Sequence, residues 1–568
     1  MSIDSQTSEA RVSGIGASPG AGVGPGVLVL TDAPEIVGEF ADPAATWAHS
    51  IAAVTEDLER LSLQARARDR DEAADVLAAQ ALIAQDPMLG DGVSERIGNG
   101  EALPDALAAV GDEIITMFRS LDDEYLAQRA DDVAEVVQRL RWSLAGQTPP
   151  DLADLAEPSV LVADALTAAQ TSQLDPSKVI GFVTERGGPT SHVVVIARSL
   201  GVPAVVAAEG VVAAFVPDTH ATLDGASGEV VIDPSPATLA EVEASIAENE
   251  RRREFTETYR GTRVSFGDRP MTVAANVATG ADVDAGVAAG ADGVGLLRTE
   301  FLFLDRDAPP SEDEQREFYA RAVDAFDDPV VIRTFDIGGD KPAPYLDVPE
   351  EENPFLGVRG ARLYRLFPDL FEAQVRAIAA VATEREVWMM LPMITTVAEV
   401  VELRAWIEEI RATAAHPGQL KIGVMVEVPA IALTADAVAP HVDFFSIGSN
   451  DLTQYAMAAD RMSDGLGHLQ DPMHPAVMSL CAMTAAAGRR HGVPTAVCGL
   501  AAADTTAAAL FAAMGIGKLS VSGRMVNEIK ATVDALPADG AAEVVEQALA
   551  AASAADARSV VAEWRGGE

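Results

Sequence analysis

The segment Gly187–Gly201, GGPTSHVVVIARSLG, sets a histidine between a Gly-Gly-Pro turn and an apolar run. Glycine lets a backbone come close to a ligand, and proline fixes the angle at which the chain arrives. Val193–Ala197 reads as a buried helix, which puts His192 at or just before a helix N-terminus. Outward N–H groups and the positive end of the dipole gather there, so an imidazole so placed can carry a phosphate among ready donors. A core histidine behind a glycine turn gives the same pattern, and His192 alone leaves both readings open.

A second set of polar residues lies in the C-terminal half, each at or near the end of an apolar run. Arg298 follows GVGLL, Arg333 lies in VVIRTFD, and Glu427 closes GVMVE. Asn450 and Asp451 follow FFSIGS, Arg461 comes a little later, and Cys498 closes TAVC. Arginines present planar, multidentate donors to phosphate and carboxylate oxygens. Two carboxylates, here Glu427 and Asp451, are what Mg²⁺ commonly takes from a protein before substrate oxygens and water complete its octahedron. Zinc is disfavoured because no His/Cys cluster lies nearby. A thiol such as Cys498, with an ordinary pKa of roughly 8.5, can donate a proton at neutral pH. Together these types suit a substrate that bears both a phosphate and a carboxylate.

The elements that would position them are eight strand-like runs separated mostly by helical patterns: Met271–Val277, Gly293–Leu297, Val330–Phe335, Val387–Leu391, Ile422–Val426, Val442–Ile447, Pro494–Val497 and Leu519–Ser522. Eight β/α repeats imply a TIM barrel, whose chemistry sits on loops at the C-terminal ends of the strands. Upstream, residues 11–26 read as a short strand and then glycine-rich turns. From 42 to 145 the pattern is helical, with Ile51, Val54, Leu58 and Leu61, then Val133, Val136, Val137 and Leu140, at three- and four-residue spacing. Pro87 and Pro104 sit at expected helix starts. Between 150 and 234 the texture turns to short β-rich runs around His192. Residues 236–259 read as a charged helical connector ended by Gly261.

At 568 residues the chain is long for one core and implies two to four domains. A net charge of −46 argues against nucleic acid, favours a basic protein partner, and means that an anionic substrate needs local arginines. Cys481 and Cys498 are the only cysteines. With no apolar export segment and no apolar stretch of about 18 residues, a reducing, cytoplasmic location is expected. No GxGxxG or GxxxxGK[ST] loop occurs, so a nucleotide site is not signalled.

The histidine segment, the early ASPG turn, Leu121–Val133 (LDDEYLAQRADDV) and the strand-end motifs closely resemble Enzyme I, the phosphoenolpyruvate–protein phosphotransferase family of the bacterial sugar phosphotransferase system. The likeness extends over essentially the whole chain. It implies a multidomain α/β protein: a phosphohistidine α/β swivelling domain (1–34 and 146–234) with an inserted helical bundle (35–145) that holds the phosphocarrier protein HPr, a connector (235–260), and a (β/α)8 barrel (261–568) that binds phosphoenolpyruvate and forms a homodimer. It further implies that His192 takes the phosphoryl group, with Thr171 hydrogen-bonding its imidazole. Arg298, Arg333, Arg461 and Asn450 would hold the substrate, Glu427 and Asp451 would ligate Mg²⁺, and Cys498 would protonate the enolpyruvate. Two positions depart from the family's pattern: Gln80 stands where a histidine is frequent, and Leu500 where many relatives carry glutamate. The alternatives are a pyruvate phosphate dikinase or phosphoenolpyruvate synthase, which adds an ATP-binding domain, and a non-catalytic regulatory scaffold.

Overall fold

The computed structural model describes residues 9–566 except 30–32, 34–35, 37–39, 67–70, 120–123, 150–151, 153–154, 156, 168–169, 171–174, 188–192, 195–196, 198–199, 218, 305, 339–342, 344, 349–350, 384, 414–417 and 462–463. The chain divides into two compact units, 1–251 and 252–568. Among the described residues no helix is long and apolar enough to cross a membrane.

The first unit carries an eight-stranded sheet: β1 (Ala10–Ser13), β2 (Ile15–Ser18), β3 (Ala21–Val29), β4 (Ser159–Ala163), β5 (Val179–Thr184), β6 (Ala204–Val206), β7 (His220–Asp224) and β8 (Glu229–Ile232), in the order β1-β8-β7-β3-β4-β5-β6-β2. Its centre, β3 to β6, is parallel and its flanks are antiparallel. Five helices between β3 and β4 form a separate bundle: Pro43–Arg66, Asp71–Ala84, Pro87–Gly98, Leu103–Arg119 and Glu124–Leu144. Val54, Leu58, Leu61, Val133, Val136 and Leu140 meet in its core, as their spacing requires. Pro87 occupies the first helical position behind Asp86, whose carboxylate accepts the Met88 N–H at 2.8 Å.

The glycine-rich stretch at 21–29 is a strand and not a set of turns. Its glycines serve packing: a β-carbon on Gly24 would lie 2.5 Å from Ile180 Cδ1, and one on Gly22 would lie 2.9 Å from Ile180 Cγ2. Composition reads glycine as turn-forming, but here it lets β3 lie close under the Ile180 side chain.

The second unit is a closed parallel barrel. Strands β10 (Arg269–Val277), β11 (Val294–Leu297), β12 (Val330–Arg333), β13 (Val387–Leu391), β14 (Leu420–Val426), β15 (Phe445–Ile447), β16 (Thr495–Val497) and β17 (Lys518–Val521) pair in sequence, and β17 returns to β10. A short strand, β9 (Val264–Phe266), runs antiparallel to β10. All eight expected strands are present, which makes this a TIM barrel. The strands are buried and rich in Val, Leu and Ile, as strands covered on both faces must be. Several outer helices start on reciprocal caps, Thr279 with Asp282, Ser311 with Glu314, and Thr396 with Glu399. The closure carries a fully buried ion pair: Lys530 Nζ donates to Asp292 Oδ1 and to the Gly290 carbonyl, both at 2.8 Å. Asp292 Oδ2 in turn accepts the Val273 N–H of β10 at 2.8 Å.

The helix Pro236–Glu257 spans the division between the units, and Thr238 is its one buried residue. With few apolar anchors it contributes little to either core. Cleavage between Arg251 and Tyr259 is expected to leave two separately soluble pieces, each with native circular dichroism and a cooperative melt. An unfolded N-terminal piece would show that the boundary is misplaced.

Candidate active site

The barrel brings seven sequence-selected residues to one cavity at the C-terminal ends of its strands. Arg298, Arg333, Glu427, Asn450, Asp451, Arg461 and Cys498 all line a space of about 220 Å³, with Leu296, Met425, Gly448 and Gly499. Each position follows from the strand before it. Arg298 is the first residue after β11, Arg333 the last of β12, Glu427 the first after β14, and Cys498 the first after β16. Asn450 and Asp451 stand in the first turn of the helix Ser449–Met457, whose N-terminus has no side-chain cap. That leaves N–H groups of the Ser449–Met457 helix facing the same end of the barrel, a favourable place for an anion. Ala458, in left-handed conformation at φ 50°, ends the helix and turns the chain toward Arg461.

Two residues that strand-end reasoning passed over complete the wall, Asp336 and Arg359. Asp336 sits three residues beyond Arg333 in the same RTFD segment, a signal that was readable. Arg359 comes from the long excursion after β12, where no strand periodicity marks it. It reaches Asp336 because the two backbones approach closely: a β-carbon on Gly360, at φ 56°, would lie 3.0 Å from Asp336 Oδ1, and one on Gly338, at φ 103°, would lie 2.9 Å from Arg359 Cβ.

The charged groups form an alternating chain. Arg333 Nη2 pairs with Glu300 Oε1 at 3.0 Å and its Nη1 with Asp336 Oδ2 at 3.3 Å. Arg359 joins Asp336 at 2.8 Å to Asp451 Oδ1 at 3.2 Å, and Arg461 Nη1 lies 3.6 Å from Asp451 Oδ2. Glu300, Arg333, Asp336, Arg359 and Asp451 are all buried. Burial by itself would strip charge from Arg333, yet Glu300, Asp336 and Glu427 more than compensate and hold its guanidinium above the ordinary range. Arg298 has less help: burial, then the neighbouring Arg333, lowers it.

Glu427 is strained electrostatically. Its Oε1 accepts the Met393 N–H at 2.6 Å, an N–H aimed by a left-handed turn at Met393, while its Oε2 is buried without a partner among the described residues. Burial, with the carboxylates of Asp451 and Asp336 close by, pushes Glu427 up to about 8. Cys498 is buried, its Sγ lies 3.6 Å from the Ile447 carbonyl, and burial pushes the thiol up to about 11, so it keeps its proton at neutral pH. Cys481 is buried in the helix Pro475–His491. Leu500 presents its side chain to solvent, and its N–H donates to Asn450 Oδ1 at 2.9 Å. Gln80, buried in the helical bundle, donates from Nε2 to Glu135 Oε2 at 2.9 Å and to Asp132 Oδ1 at 3.3 Å. His192 and Thr171 lie outside the described residues.

Comparison with known proteins agrees with this division of the chain. Residues 13–129, 155–228 and 257–537 match the N-terminal, mobile and PEP-binding domains of PEP-utilising enzymes, in that order. A buried arginine–carboxylate mouth on a TIM barrel, joined to those two other domains, places the chain in the class of PEP-utilising enzymes. It is 40% identical to the phosphoenolpyruvate-protein phosphotransferase of Haloferax volcanii, over 97% of this chain and 99% of that one. The proteins of that name from Geobacillus stearothermophilus and Haemophilus influenzae are 36% and 35% identical over 97% of this chain and 98% and 99% of their own. The chain belongs to the phosphoenolpyruvate-protein phosphotransferase family and is an enzyme.

Glu300 touches no part of the cavity, yet it anchors Arg333 and also accepts the Asp336 N–H at 3.0 Å. Removing one partner of a buried pair usually costs about 3–5 kcal/mol. Glu300→Ala is therefore expected to lower stability by that order in urea melts and to weaken substrate binding through a displaced Arg333. Unchanged unfolding and unchanged KM would remove Glu300 from the network.

Proposed function

We propose that this enzyme transfers the phosphoryl group of phosphoenolpyruvate to His192 and then to a histidine of the phosphocarrier protein HPr, releasing pyruvate as the first step of sugar-uptake phosphorylation. The observation that carries the reading is the convergence of Arg298, Arg333, Arg461, Asn450, Glu427, Asp451 and Cys498 on one cavity. The substrate's phosphate and carboxylate would engage the three arginines and Asn450, which neutralise charge and fix the phosphorus in line with the incoming imidazole. In this reading a swivelling histidine domain carries His192 to the cavity, with the connector as its hinge. The proposed division is the one the resemblance implies, with the histidine domain at 1–34 and 146–234, the HPr-holding bundle at 35–145 and the barrel from 261.

A divalent cation fits the donor set. Glu427 Oε2 is an orphaned buried oxygen, and the crowding of Glu427 with Asp451 and Asp336 would be relieved by positive charge. Glu427 and Asp451 would hold Mg²⁺, which when bound supplies further neutralisation of the phosphate oxygens.

Transfer breaks the bond between phosphorus and the enol oxygen and makes one to a ring nitrogen of His192. Enolpyruvate remains and needs a proton on its methylene carbon. Cys498, held protonated by burial at the cavity wall, would give it. HPr recognition is assigned to the helical bundle, and the overall acidity of the chain favours a basic partner face. Homodimerisation through the barrel is part of the same proposal and rests on the family likeness.

His192→Ala should take up no phosphate from radiolabelled phosphoenolpyruvate while the barrel still binds that substrate with Mg²⁺. Acid-labile, base-stable phosphate on the mutant would rule His192 out as acceptor. Cys498→Ala should keep substrate binding but slow pyruvate formation by roughly 10²-fold or more, the usual scale for a lost positioned acid. Stopped-flow pyruvate release and deuterium incorporation at the methyl carbon read this directly, with Cys481→Ala as the silent control. Wild-type rate and stereospecific labelling in Cys498→Ala would take the thiol out of the mechanism.

A further inference from the structure

A second cavity, of about 410 Å³, opens at the other end of the barrel. It lies among Trp388 of β13, Phe445 of β15, Thr495 of β16, Lys518 of β17 and the end of the helix Pro475–His491. That face of a TIM barrel ordinarily serves stability and not chemistry. Its walls are mainly apolar, yet two cations face it, Lys518 and Arg489, and among the described residues neither has a carboxylate within ion-pair distance. The Lys518 ammonium lies 4.7 Å from the centre of the Trp388 ring, and Lys421, paired with Glu386 at 3.1 Å, lies 4.9 Å from the same ring. The Arg489 guanidinium donates to the Met514 carbonyl, and Arg269 donates to the Ala512 carbonyl at 2.7 Å, which gathers further positive charge beside the opening.

Three features separate this place from an ordinary surface hollow. The chain has only five lysines, at 178, 341, 421, 518 and 530, and two of them meet on one tryptophan. Thr495 Oγ1, which belongs to the cavity wall, is buried without a partner among the described residues. Glycine leaves room beside both groups, since a β-carbon on Gly488 would lie 2.3 Å from that hydroxyl, and one on Gly515 would lie 2.7 Å from Arg489 Nη1.

We propose that this N-terminal mouth is a binding site for a small organic acid with a planar apolar body, its carboxylate held by Lys518 and Arg489 and its donor need met in part by the Thr495 hydroxyl. A molecule with net charge −46 repels anions at range, so a local pair of unneutralised cations over an apolar cavity is the feature that would reverse this. The volume and lining match those of sites for organic ligands and leave too much apolar wall for a bare inorganic anion. Burial lowers the Lys518 amine to about 8, with Asp328, Asp292 and Glu386 pulling the other way and Lys421 adding to the effect, and a bound carboxylate would raise it.

The test is calorimetric titration of the full-length protein with cinnamate, and separately with inorganic phosphate. It compares wild type, Lys518→Met, Lys518→Gln, Arg489→Met and Arg298→Ala, each first checked for a native melt. Saturable cinnamate binding, roughly millimolar or tighter, is expected in wild type and in Arg298→Ala. It should weaken at least about tenfold in the Lys518 and Arg489 variants. The proposal is overturned if cinnamate does not bind, or if its binding is lost in Arg298→Ala but intact in the Lys518 variants. It is equally overturned if phosphate occupies the Lys518-dependent site as well as cinnamate does.

Discussion

The chain of buried charge from Glu300 through Arg333, Asp336 and Arg359 to Asp451 is the constraint on which the candidate site depends. A guanidinium or carboxylate leaves water only at a large cost, repaid when each charge finds an opposite neighbour with good geometry. Here each interior member has one on either side, at 2.8–3.3 Å. The arrangement keeps both arginines charged while fixing their rotamers, which preorganisation requires. Glu427 has a buried oxygen without a partner among the described residues and the carboxylates of Asp451 and Asp336 beside it, and that crowding is the electrostatic argument for a cation there.

The barrel makes this network affordable. Parallel strands of three to nine residues end at one rim, so residues 200 positions apart, Arg298 and Cys498, line one cavity. Closure between β17 and β10, with the buried Lys530–Asp292 pair at the seam, holds that rim in a fixed register. The loops beyond the strands supply what a rigid rim lacks. Gly338 and Gly360 let the excursion after β12 fold back on Asp336, and the uncapped start of the helix Ser449–Met457 adds oriented N–H groups. A rigid scaffold with loop-borne chemistry is the general logic of the fold.

The two ends of the barrel answer different electrostatic demands. At the C-terminal end, Arg333, Arg359 and Arg461 are matched with carboxylates before any ligand arrives. At the N-terminal end, Lys518 and Arg489 stand over apolar surface without such matching. In a chain this acidic, an unmatched cation is the rarer feature.

Much of the barrel was readable from order alone. Eight buried strands recur as Val-, Ile- and Leu-rich runs because both faces of a barrel strand are covered, and a polar residue just past such a run must lie at the rim. That rule selected Arg298, Arg333, Glu427, Asn450, Asp451 and Cys498, and the helical bundle followed from 3.6-residue spacing in the same way. Composition misled at Ala21–Val29, where glycine allows the close packing of a strand and does not mark turns. Arg359 was invisible because its position depends on how a long loop returns, which no local period encodes. The roles of Glu300 and Asp336 as anchors of Arg333 were hidden for a related reason: a carboxylate's charge state and partners are set by burial and by neighbours distant in sequence. Local pattern determined where the strands end; only the closed barrel decided which charges face one another, since pairing in a low-dielectric interior is a property of three-dimensional distance.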